Sequence, residues 1–286
     1  MAAPWSLGVE EELMLVDAET LLPAPDGWSR VFGEATERIL PELFESFVEI
    51  TTPVVETAEE VESELQALRR EVAERATEHG LAVIAVGSHP TARDPIPIVP
   101  IERYERLKAE RGTMLNRQVV AGMHVHVSVP KDALLPAFEG MVPHLPALLA
   151  ASANSPYFDG VASGWRSIRS QILLEMPWGG TPGVLSTWDD WEKNRLWDVR
   201  PRPDLGTLEV RVMDQPTSVA RTAELAGTVQ RLVHEAAEWS GTPFDRAEYE
   251  RLRERAAREG GGPEAERQLE LGPEAALAEL VRLTLR

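Results

Sequence analysis

The sequence predicts an α+β fold, in which one face of a sheet carries helices and the other lines a cleft. Five segments alternate apolar and polar residues, as strands with a single buried face do, whereas strands of a parallel sheet read as continuous apolar runs. Four further segments repeat apolar residues at three- and four-residue steps, as amphipathic helices do. We therefore predict strands at residues 6–16, 44–51, 81–86, 121–129 and 207–213, and helices at residues 57–78, 102–119, 133–152 and 219–239.

The helix at residues 57–78 has the clearest pattern. Thr57 is of a type that caps helix N-termini, and Gly80 is of the type that ends helices. The apolar positions between them form one stripe, consisting of Val61, Leu65, Leu68, Val72 and Ala76. We expect this stripe to pack against the sheet.

The chain of 286 residues, 43% of them hydrophobic, is long enough for one substantial core. We assign residues 1–245 to a main domain and residues 246–286 to a short charged helical tail. The sequence Gly-Gly-Gly-Pro at residues 260–263 predicts a flexible linker before residues 264–286, so we expect loose attachment of that segment.

Composition excludes several classes of function. The formal charge of -18 repels nucleic acid and anionic lipid, so we predict neither a nucleic-acid nor a membrane partner. A polyphosphate can still bind where arginines or metal ions reverse the local charge. The absence of cysteine excludes disulfides and thiolate chemistry. Residues 1–7 do not resemble a secretory leader, and no run of about 18 apolar residues occurs, so we interpret the chain as cytoplasmic.

The first motif with chemical content is Gly8-Val9-Glu10-Glu11-Glu12. Strand geometry places Glu10 and Glu12 on one face and Glu11 on the other. Two carboxylates at that spacing repel each other unless solvent or a cation lies between them. The motif indicates either a Mg²⁺ site or a solvated strand edge.

A second acidic segment follows in Glu45-Ser46-Phe47-Val48-Glu49. Period-two geometry predicts Glu45 and Glu49 on one face, two pleats apart. Glu49 lies between apolar neighbours that favour burial, so its carboxylate requires a partner. That partner is either a cation in the cleft or an arginine of the core.

The third motif, Gly122-Met123-His124-Val125-His126-Val127, places His124 and His126 on one strand face. Imidazoles bind metals and donate hydrogen bonds to phosphate, and they also occur as packed core residues. Both interpretations fit this pair.

The fourth motif places Glu209 and Arg211 on one face of the strand at residues 207–213. They form either a salt bridge on the sheet or a functional pair in which the acid holds a metal and the arginine binds a phosphoryl oxygen. Other arginines near loops or strand ends are candidate anion contacts or surface residues, namely Arg166, Arg169, Arg200 and Arg202.

Taken together, six strings in this order resemble the glutamate-cysteine ligase type 2 family of carboxylate-amine ligases. The resemblance covers roughly residues 6–240, about four fifths of the chain. The strings are GVEEELMLVD, ESFVEITTPV, GMHVHVSVP, SANSPYFDG, RSQILLEMP and LWDVRPRPDLGTLEVRVMD.

The resemblance implies a fold similar to glutamine synthetase, with an antiparallel sheet of about six strands curved around the active site and helices packed behind. It also implies an ATP-dependent ligase. In such enzymes the side-chain carboxylate of glutamate takes the γ-phosphoryl group of ATP, and the amine of cysteine or another amino compound displaces phosphate from the acyl phosphate. No enzyme nucleophile is required, which agrees with the absence of cysteine.

Residue roles follow from the resemblance alone. It implies that the metal, Mg²⁺ or Mn²⁺, is bound by Glu10, Glu12, Glu49, His124 and Glu209. It implies that ATP contacts His124, His126 and Arg211, and that Arg211 and Arg169 act in catalysis. Glu45, Arg200 and Arg202 lie in matching strings without a defined role. Amino acids are the implied substrates, and a homo-oligomer is compatible with the sequence.

Two departures from the family support an alternative. Between Trp191 and Leu196 the chain lacks a helical segment that relatives usually carry, and after Trp239 it is shorter than they are. A weak or inactive relative that binds nucleotide or a protein partner is therefore the second hypothesis. A metal-dependent hydrolase is the third. It would need a further histidine, and His89 is the best candidate.

Overall fold

The computed structural model describes residues 5–93, 95–112, 115, 119–176, 179–183, 185, 196–241 and 244–285. The strands are β1 (Leu7–Asp17), β2 (Ile39–Pro41), β3 (Phe47–Thr51), β4 (Leu81–Ile84), β5 (Met123–Ser128), β6 (Tyr157–Phe158), β7 (Val161–Ala162), β8 (Gly179–Gly180), β9 (Leu196–Trp197), β10 (Val199–Arg202) and β11 (Thr207–Val210). The helices are α1 (Gly27–Val31), α2 (Ala58–Glu78), α3 (Glu102–Arg111), α4 (Leu134–Met141), α5 (Leu145–Ser152), α6 (Ile168–Leu174), α7 (Val219–Ala236), α8 (Arg246–Glu259), α9 (Pro263–Leu271) and α10 (Pro273–Leu283).

The main sheet has seven strands in the order β10-β11-β5-β1-β3-β2, and β4 pairs with β1. Every pairing in this sheet is antiparallel. Residues of β1 alternate between full burial and partial exposure along its first half, so one face is in the core and the other meets the cleft. The predicted α+β fold with an antiparallel sheet is confirmed.

Helix α2 begins where its sequence predicts. The Thr57 side chain accepts from the Glu60 backbone N–H, and the Glu60 side chain accepts from the Thr57 N–H, which completes a capping box. Gly80, just beyond the helix, has a φ of +70°, a conformation that glycine adopts without strain. The predicted apolar stripe is buried, and α2 packs on α7, β1 and β4.

Several boundaries differ from the prediction for local reasons. Helix α3 ends at Arg111 instead of continuing to residue 119, because Gly112 follows with a φ of +57°. The helix predicted at residues 133–152 is divided into α4, a 3₁₀ turn at Val142–His144, and α5. Pro143 and Pro146 lie at the starts of the latter two, where their missing N–H groups are tolerated. Strands β2 and β10 were not predicted, since both are short and contain proline.

One described stretch, Leu134–Ser152, is long and apolar enough to cross a membrane by length and composition alone. More than half of it is buried inside the fold. A helical segment that packs into a protein core passes the same test, so the stretch is weak evidence for a membrane span.

The predicted loose attachment of the tail is wrong. In residues 264–286, Thr284 Oγ1 accepts from the Ala85 N–H at 2.9 Å, and the Thr284 carbonyl oxygen accepts from Arg69 Nη1 at 2.7 Å. Glu264 accepts from the Thr217 N–H at 2.8 Å. Each of these contacts joins residues 246–286 to the remainder of the chain, because buried polar groups require partners that the linker sequence does not reveal. The domain boundary at residue 245 stays a prediction.

Candidate active site

Strand register brings the predicted acids and histidines onto the cleft face of the sheet. Glu10 lies opposite His124 in the β1–β5 pair, and Glu12 lies opposite Glu49 in the β1–β3 pair. In the β5–β11 pair, Glu209 lies opposite His126. Because directly opposed residues project to the same face, motifs more than 100 residues apart become neighbours.

A cavity of about 810 Å³ lies over this face. Its charged lining is balanced, although the whole molecule is strongly acidic. The acids are Glu10, Glu12, Glu42, Glu49, Glu110 and Asp204, and the arginines are Arg103, Arg106, Arg111, Arg200, Arg202 and Arg211. Such a concentration of arginines allows an anionic ligand to bind within an acidic protein.

His124 has a defined protonation pattern. Burial, and then the charge of Arg211, lowers the pKa of His124 to about 4, so the imidazole is neutral at pH 7. Its Nδ1 lies 3.0 Å from Glu10 Oε2, which assigns the N–H to Nδ1. Nε2 is then a buried acceptor without a hydrogen-bond partner among the described residues, and it lies 3.9 Å from Glu12 Oε1. A divalent cation at about 2.1 Å from each ligand fits that gap.

The first group of potential metal ligands consists of Glu10, His124 and Glu209, whose ligand atoms lie within 4.8 Å of one another. Burial alone would raise the pKa of Glu10, but hydrogen bonds with His124 and His126 hold it well below its usual range. His126 Nε2 lies 3.2 Å from Glu10 Oε1 and 3.8 Å from Glu209 Oε2. The ionised Glu10 carboxylate therefore forms the centre of this group.

The second group consists of Glu12, Glu42 and Glu49, again within 4.8 Å of one another. Burial, and then the negative charges of Glu10, Glu42 and Glu12, raises the pKa of Glu49 to about 9. Burial and the charge of Glu42 raise the pKa of Glu12 to about 7. Carboxylates held together against such repulsion are the ligands that Mg²⁺ prefers, so these residues fit a divalent cation.

Glu209 differs from the other acids because arginines already surround it. Arg200 Nε donates to Glu209 Oε2 at 2.6 Å, and Arg202 Nη1 lies 3.5 Å from the same oxygen. Arg211 Nη1 donates to Glu209 Oε1. Burial opposes the charge of Glu209, but the arginines and His126 lower its pKa strongly. Glu209 is therefore ionised and lies beside Glu10. Its oxygens already accept hydrogen bonds from arginine side chains. Its role as a metal ligand stays a prediction.

The Arg211 side chain lines the cavity, whereas Arg169 lies outside the lining and hydrogen-bonds to the Arg211 backbone. The Arg211 N–H donates to the Asp198 carbonyl oxygen at 2.8 Å, and both Arg169 Nη atoms lie 3.3 Å from the Arg211 carbonyl oxygen. Arg169 is buried and packs so closely on Gly122 that a Cβ there would lie 2.1 Å from its Nη2. Among the described residues Arg169 is not part of the cavity lining, so its predicted catalytic role stays untested.

Two residues singled out in the sequence lie elsewhere. Glu45 is in a turn before β3, not on its face, and accepts from the Ser29 N–H at 3.0 Å and the Ser29 hydroxyl at 2.7 Å. His89 is buried, with Nε2 2.8 Å from the Leu21 carbonyl oxygen and Nδ1 accepting from the Thr91 and Ala92 N–H groups. Both imidazole nitrogens are occupied, which removes the histidine that a hydrolase would need.

Other arginines separate into cavity and surface positions. Arg200 and Arg202 line the cavity, while Arg166 pairs with Glu266 at 2.7 Å on the surface. The departure noted between Trp191 and Leu196 lies almost entirely outside the described residues.

Sequence reasoning missed two parts of the site. Glu42 follows the short strand β2 and has no periodic pattern around it. The arginines of α3 were not singled out from the sequence, although their recurrence on one helical face was a usable signal.

Comparison with known proteins supplies an independent finding. The model of glutamate-cysteine ligase family 2 matches residues 6–285. Two proteins of Rubrobacter xylanophilus carry provisional names as glutamate–cysteine ligases 2-1 and 2-3. The first is 35% identical over 259 residues, which cover 84% of this chain and 69% of the relative. The second is 34% identical over 280 residues, which cover 90% of this chain and 76% of the relative.

Two solved structures share the fold. A bifunctional glutathione synthetase from Pasteurella multocida superposes with a TM-score of 0.64 at 18% identity, and the match covers 98% of this chain and 46% of that one. A glutamate–cysteine ligase from Francisella tularensis, in complex with AMP, superposes with a TM-score of 0.61 at 14% identity, covering 100% of this chain and 82% of that one. At these identities the likeness concerns the fold alone.

Proposed function

This chain belongs to glutamate-cysteine ligase family 2, and on that premise we propose that it is an ATP-dependent carboxylate-amine ligase. It joins the side-chain carboxylate of glutamate to the amine of cysteine or of another amino compound. One observation carries the proposal, namely that two groups of potential metal ligands meet Arg211 at one cavity, which every member of the two groups except the buried Glu209 lines. Substrates of this kind are cytoplasmic metabolites, which is where we place the protein.

The reaction balances without covalent attachment to the protein. In the first step a carboxylate oxygen forms a bond to the γ-phosphorus of ATP, the bond to the β–γ bridging oxygen breaks, and ADP leaves. In the second step the amine nitrogen forms a bond to the acyl carbon while the bond to the phosphate oxygen breaks. Phosphate and one proton are released. The chain therefore has to orient three ligands and stabilise charge.

The acids of the cleft favour a cation when ATP binds. Glu12, Glu42 and Glu49 would repel the triphosphate once ionised, and Glu10 is an ionised carboxylate already. When bound to these residues, Mg²⁺ or Mn²⁺ supplies neutralisation of the phosphate oxygens. His124 contributes the buried Nε2 acceptor described above.

Arg211 supplies positive charge where the phosphoryl group transfers. Burial would oppose its ionisation, but Glu209 raises the pKa of Arg211, so the guanidinium stays charged. Hydrogen bonds to both sides of its backbone, from Arg169 and to Asp198, restrict its position. A fixed cation in a partly water-excluded cleft stabilises developing charge more than a mobile one does.

The test combines turnover with nucleotide binding. With Mg²⁺ and ATP, ADP release should require both an acid and an amine, and mass spectrometry should detect the amide. Glu12→Gln should abolish divalent-dependent ATP binding in calorimetry, while the exposed control Glu37→Gln should bind as the parent does.

Three outcomes separate the hypotheses. ATP binding that survives Glu12→Gln unchanged would contradict the metal assignment. ATP binding by the parent without ADP release, across a panel of amino acids, would favour an inactive relative. ADP release that needs neither acid nor amine would favour a hydrolase.

A further inference from the structure

Helix α3 forms one wall of the cavity but contributes little to the core. Tyr104 is its only buried residue, and the Tyr104 hydroxyl donates to the Pro41 carbonyl oxygen at 2.9 Å. Leu107 is partly buried against the core. Core packing alone therefore does not account for a ten-residue helix held over the cleft.

The side of α3 that faces the cavity is positively charged. Arg103, Arg106, Leu107, Glu110 and Arg111 all line it, at the spacing of one helical face. Three of these side chains are cationic and one is anionic. The wall therefore attracts anions into the cavity.

The α3 arginines differ from those across the cleft because their charges are not paired with a buried acid among the described residues. Arg200, Arg202 and Arg211 all contact the buried Glu209. By contrast, neither Arg103 nor Arg111 forms an ion pair within 4 Å of an acid in the part of the chain that the structure describes, and Arg106 has only the exposed Glu102 at 3.9 Å. The Arg103 guanidinium lies 5.4 Å from the Tyr104 ring centroid, which orients it without neutralising it.

The geometry indicates a carboxylate as the ligand of this wall. Arg103 acts electrostatically on Glu42, which places the wall beside the group formed by Glu12, Glu42 and Glu49. A guanidinium fork matches the two oxygens of a carboxylate. An amino-acid substrate has one carboxylate that does not react, and that group needs a cationic partner once it leaves water.

We propose that Arg103 and Arg111 bind the unreactive carboxylate of an amino-acid substrate and so select amino acids over simple acids or amines. The inference rests on the proposed ligase function and extends it to substrate choice. Two sources supply the same chemistry, since both the acid substrate and the amine substrate can carry such a carboxylate.

The experiment compares two pairs of substrates that differ by this carboxylate. L-glutamate is compared with 4-aminobutyrate as the acid, and L-cysteine is compared with cysteamine as the amine. KM and kcat are measured for the parent, for the double variant Arg103→Ala/Arg111→Ala and for the charge-retaining Arg103→Lys/Arg111→Lys. The control is Lys108→Ala, which removes a charge from the same helix outside the cavity lining.

In one of the two pairs, the parent should prefer the substrate that carries the unreactive carboxylate, L-glutamate or L-cysteine, by about 10- to 100-fold in kcat/KM. The double alanine variant should lose that preference through a raised KM, keep the preference in the other pair, and keep its KM for ATP. The lysine variant should be intermediate, and Lys108→Ala should match the parent. The pair that responds identifies the source of the carboxylate.

Several results would overturn the inference. These are no preference in the parent, an unchanged preference in the double variant, an equal loss in Lys108→Ala, or a loss confined to the KM for ATP, which would assign the arginines to nucleotide phosphate. If the parent forms no ADP, the proposed function fails first. Calorimetry with L-glutamate and L-cysteine then decides the inference, which fails if neither binds or if the double variant binds as tightly as the parent.

Discussion

Strand β1 presents glutamates to both faces of the sheet, and the two faces treat them differently. On the helix face, Glu11 is fully buried and accepts from Arg69 Nε and Nη2 at 2.7 and 2.6 Å. The Thr222 hydroxyl and Gln215 Nε2 also donate to it, at 2.6 and 2.9 Å. The third guanidinium nitrogen of Arg69, Nη1, donates to the carbonyl oxygens of Thr217 and Thr284. This buried carboxylate accepts four hydrogen bonds, all from the protein.

One residue further along β1, the cleft face leaves its acids incompletely paired. Glu12 accepts one hydrogen bond, from the Gly122 N–H at 2.6 Å, and lies opposite Glu49. Glu49 forms no side-chain hydrogen bond with any described residue. Burial and residue type therefore do not separate a structural acid from a functional one. The number of unused lone pairs does.

The largest expected effect is on the helix face. Glu11→Gln should lower the free energy of unfolding by about 3–5 kcal/mol, because it leaves the Arg69 charge buried without a counter-ion. Urea denaturation of metal-free protein measures this. Glu12→Gln is the control on the opposite face and should lose much less. Equal losses in the two variants would end the distinction between the faces.

The next largest effect is on the cleft face, where a substitution should raise the free energy of unfolding instead of lowering it. A pKa of about 9 means that folded Glu49 binds its proton more tightly than the unfolded chain, so stability falls as pH rises from about 4.5 towards 9. Glu49→Gln removes this dependence. Without metal at pH 8, the variant should be more stable than the parent by on the order of a few kcal/mol.

Urea denaturation in a chelator at pH 5 and at pH 8 tests the Glu49 prediction. The two proteins should differ at pH 8 and be similar at pH 5. Saturating Mg²⁺ should reduce the difference, because the parent alone keeps the full set of ligands. A parent as stable at pH 8 as at pH 5 would contradict the repulsion.

A third prediction concerns the arginines of the cleft. Arg211→Lys keeps the charge but loses the planar fork, so kcat should fall by about 10-fold or more while the KM for ATP changes less. Arg38→Lys, at a partly exposed position outside the cavity lining, serves as the control. An unchanged kcat would place Arg211 with the purely structural partners of Glu209.

The smallest expected effect is on the pH dependence of stability, and it comes from a histidine outside the cleft, His89. Burial lowers the pKa of His89 to about 4, and its nitrogens are both hydrogen-bonded, unlike those of His124. A lowered pKa makes its contribution to stability complete above about pH 6.5 and lost as pH falls towards 4. His89→Gln should therefore lose about 1 kcal/mol less than the parent between pH 7 and pH 5.5, as urea denaturation would show. Equal slopes would contradict the assignment.

The residues that share a face of one strand can be read from the sequence, because side chains alternate with a period of two in every strand. That is enough to put Glu10 with Glu12, His124 with His126, and Glu209 with Arg211, each pair on one face of its own strand, and to separate Glu11 from its neighbours. The sequence also determined α2, whose cap and stripe are local features. The family resemblance rests on these same strings.

The partners of these side chains, by contrast, depend on how distant segments pack together. Glu45 and Glu49 are similar in sequence, but a turn before β3 directs the first to Ser29 and leaves the second in the cleft. Glu42 enters the site because β2 pairs with β3 at the edge of the sheet, and the α3 arginines enter it because Tyr104 of α3 hydrogen-bonds to Pro41 of β2. Such placements depend on strand register and on packing between distant segments, which no local pattern encodes.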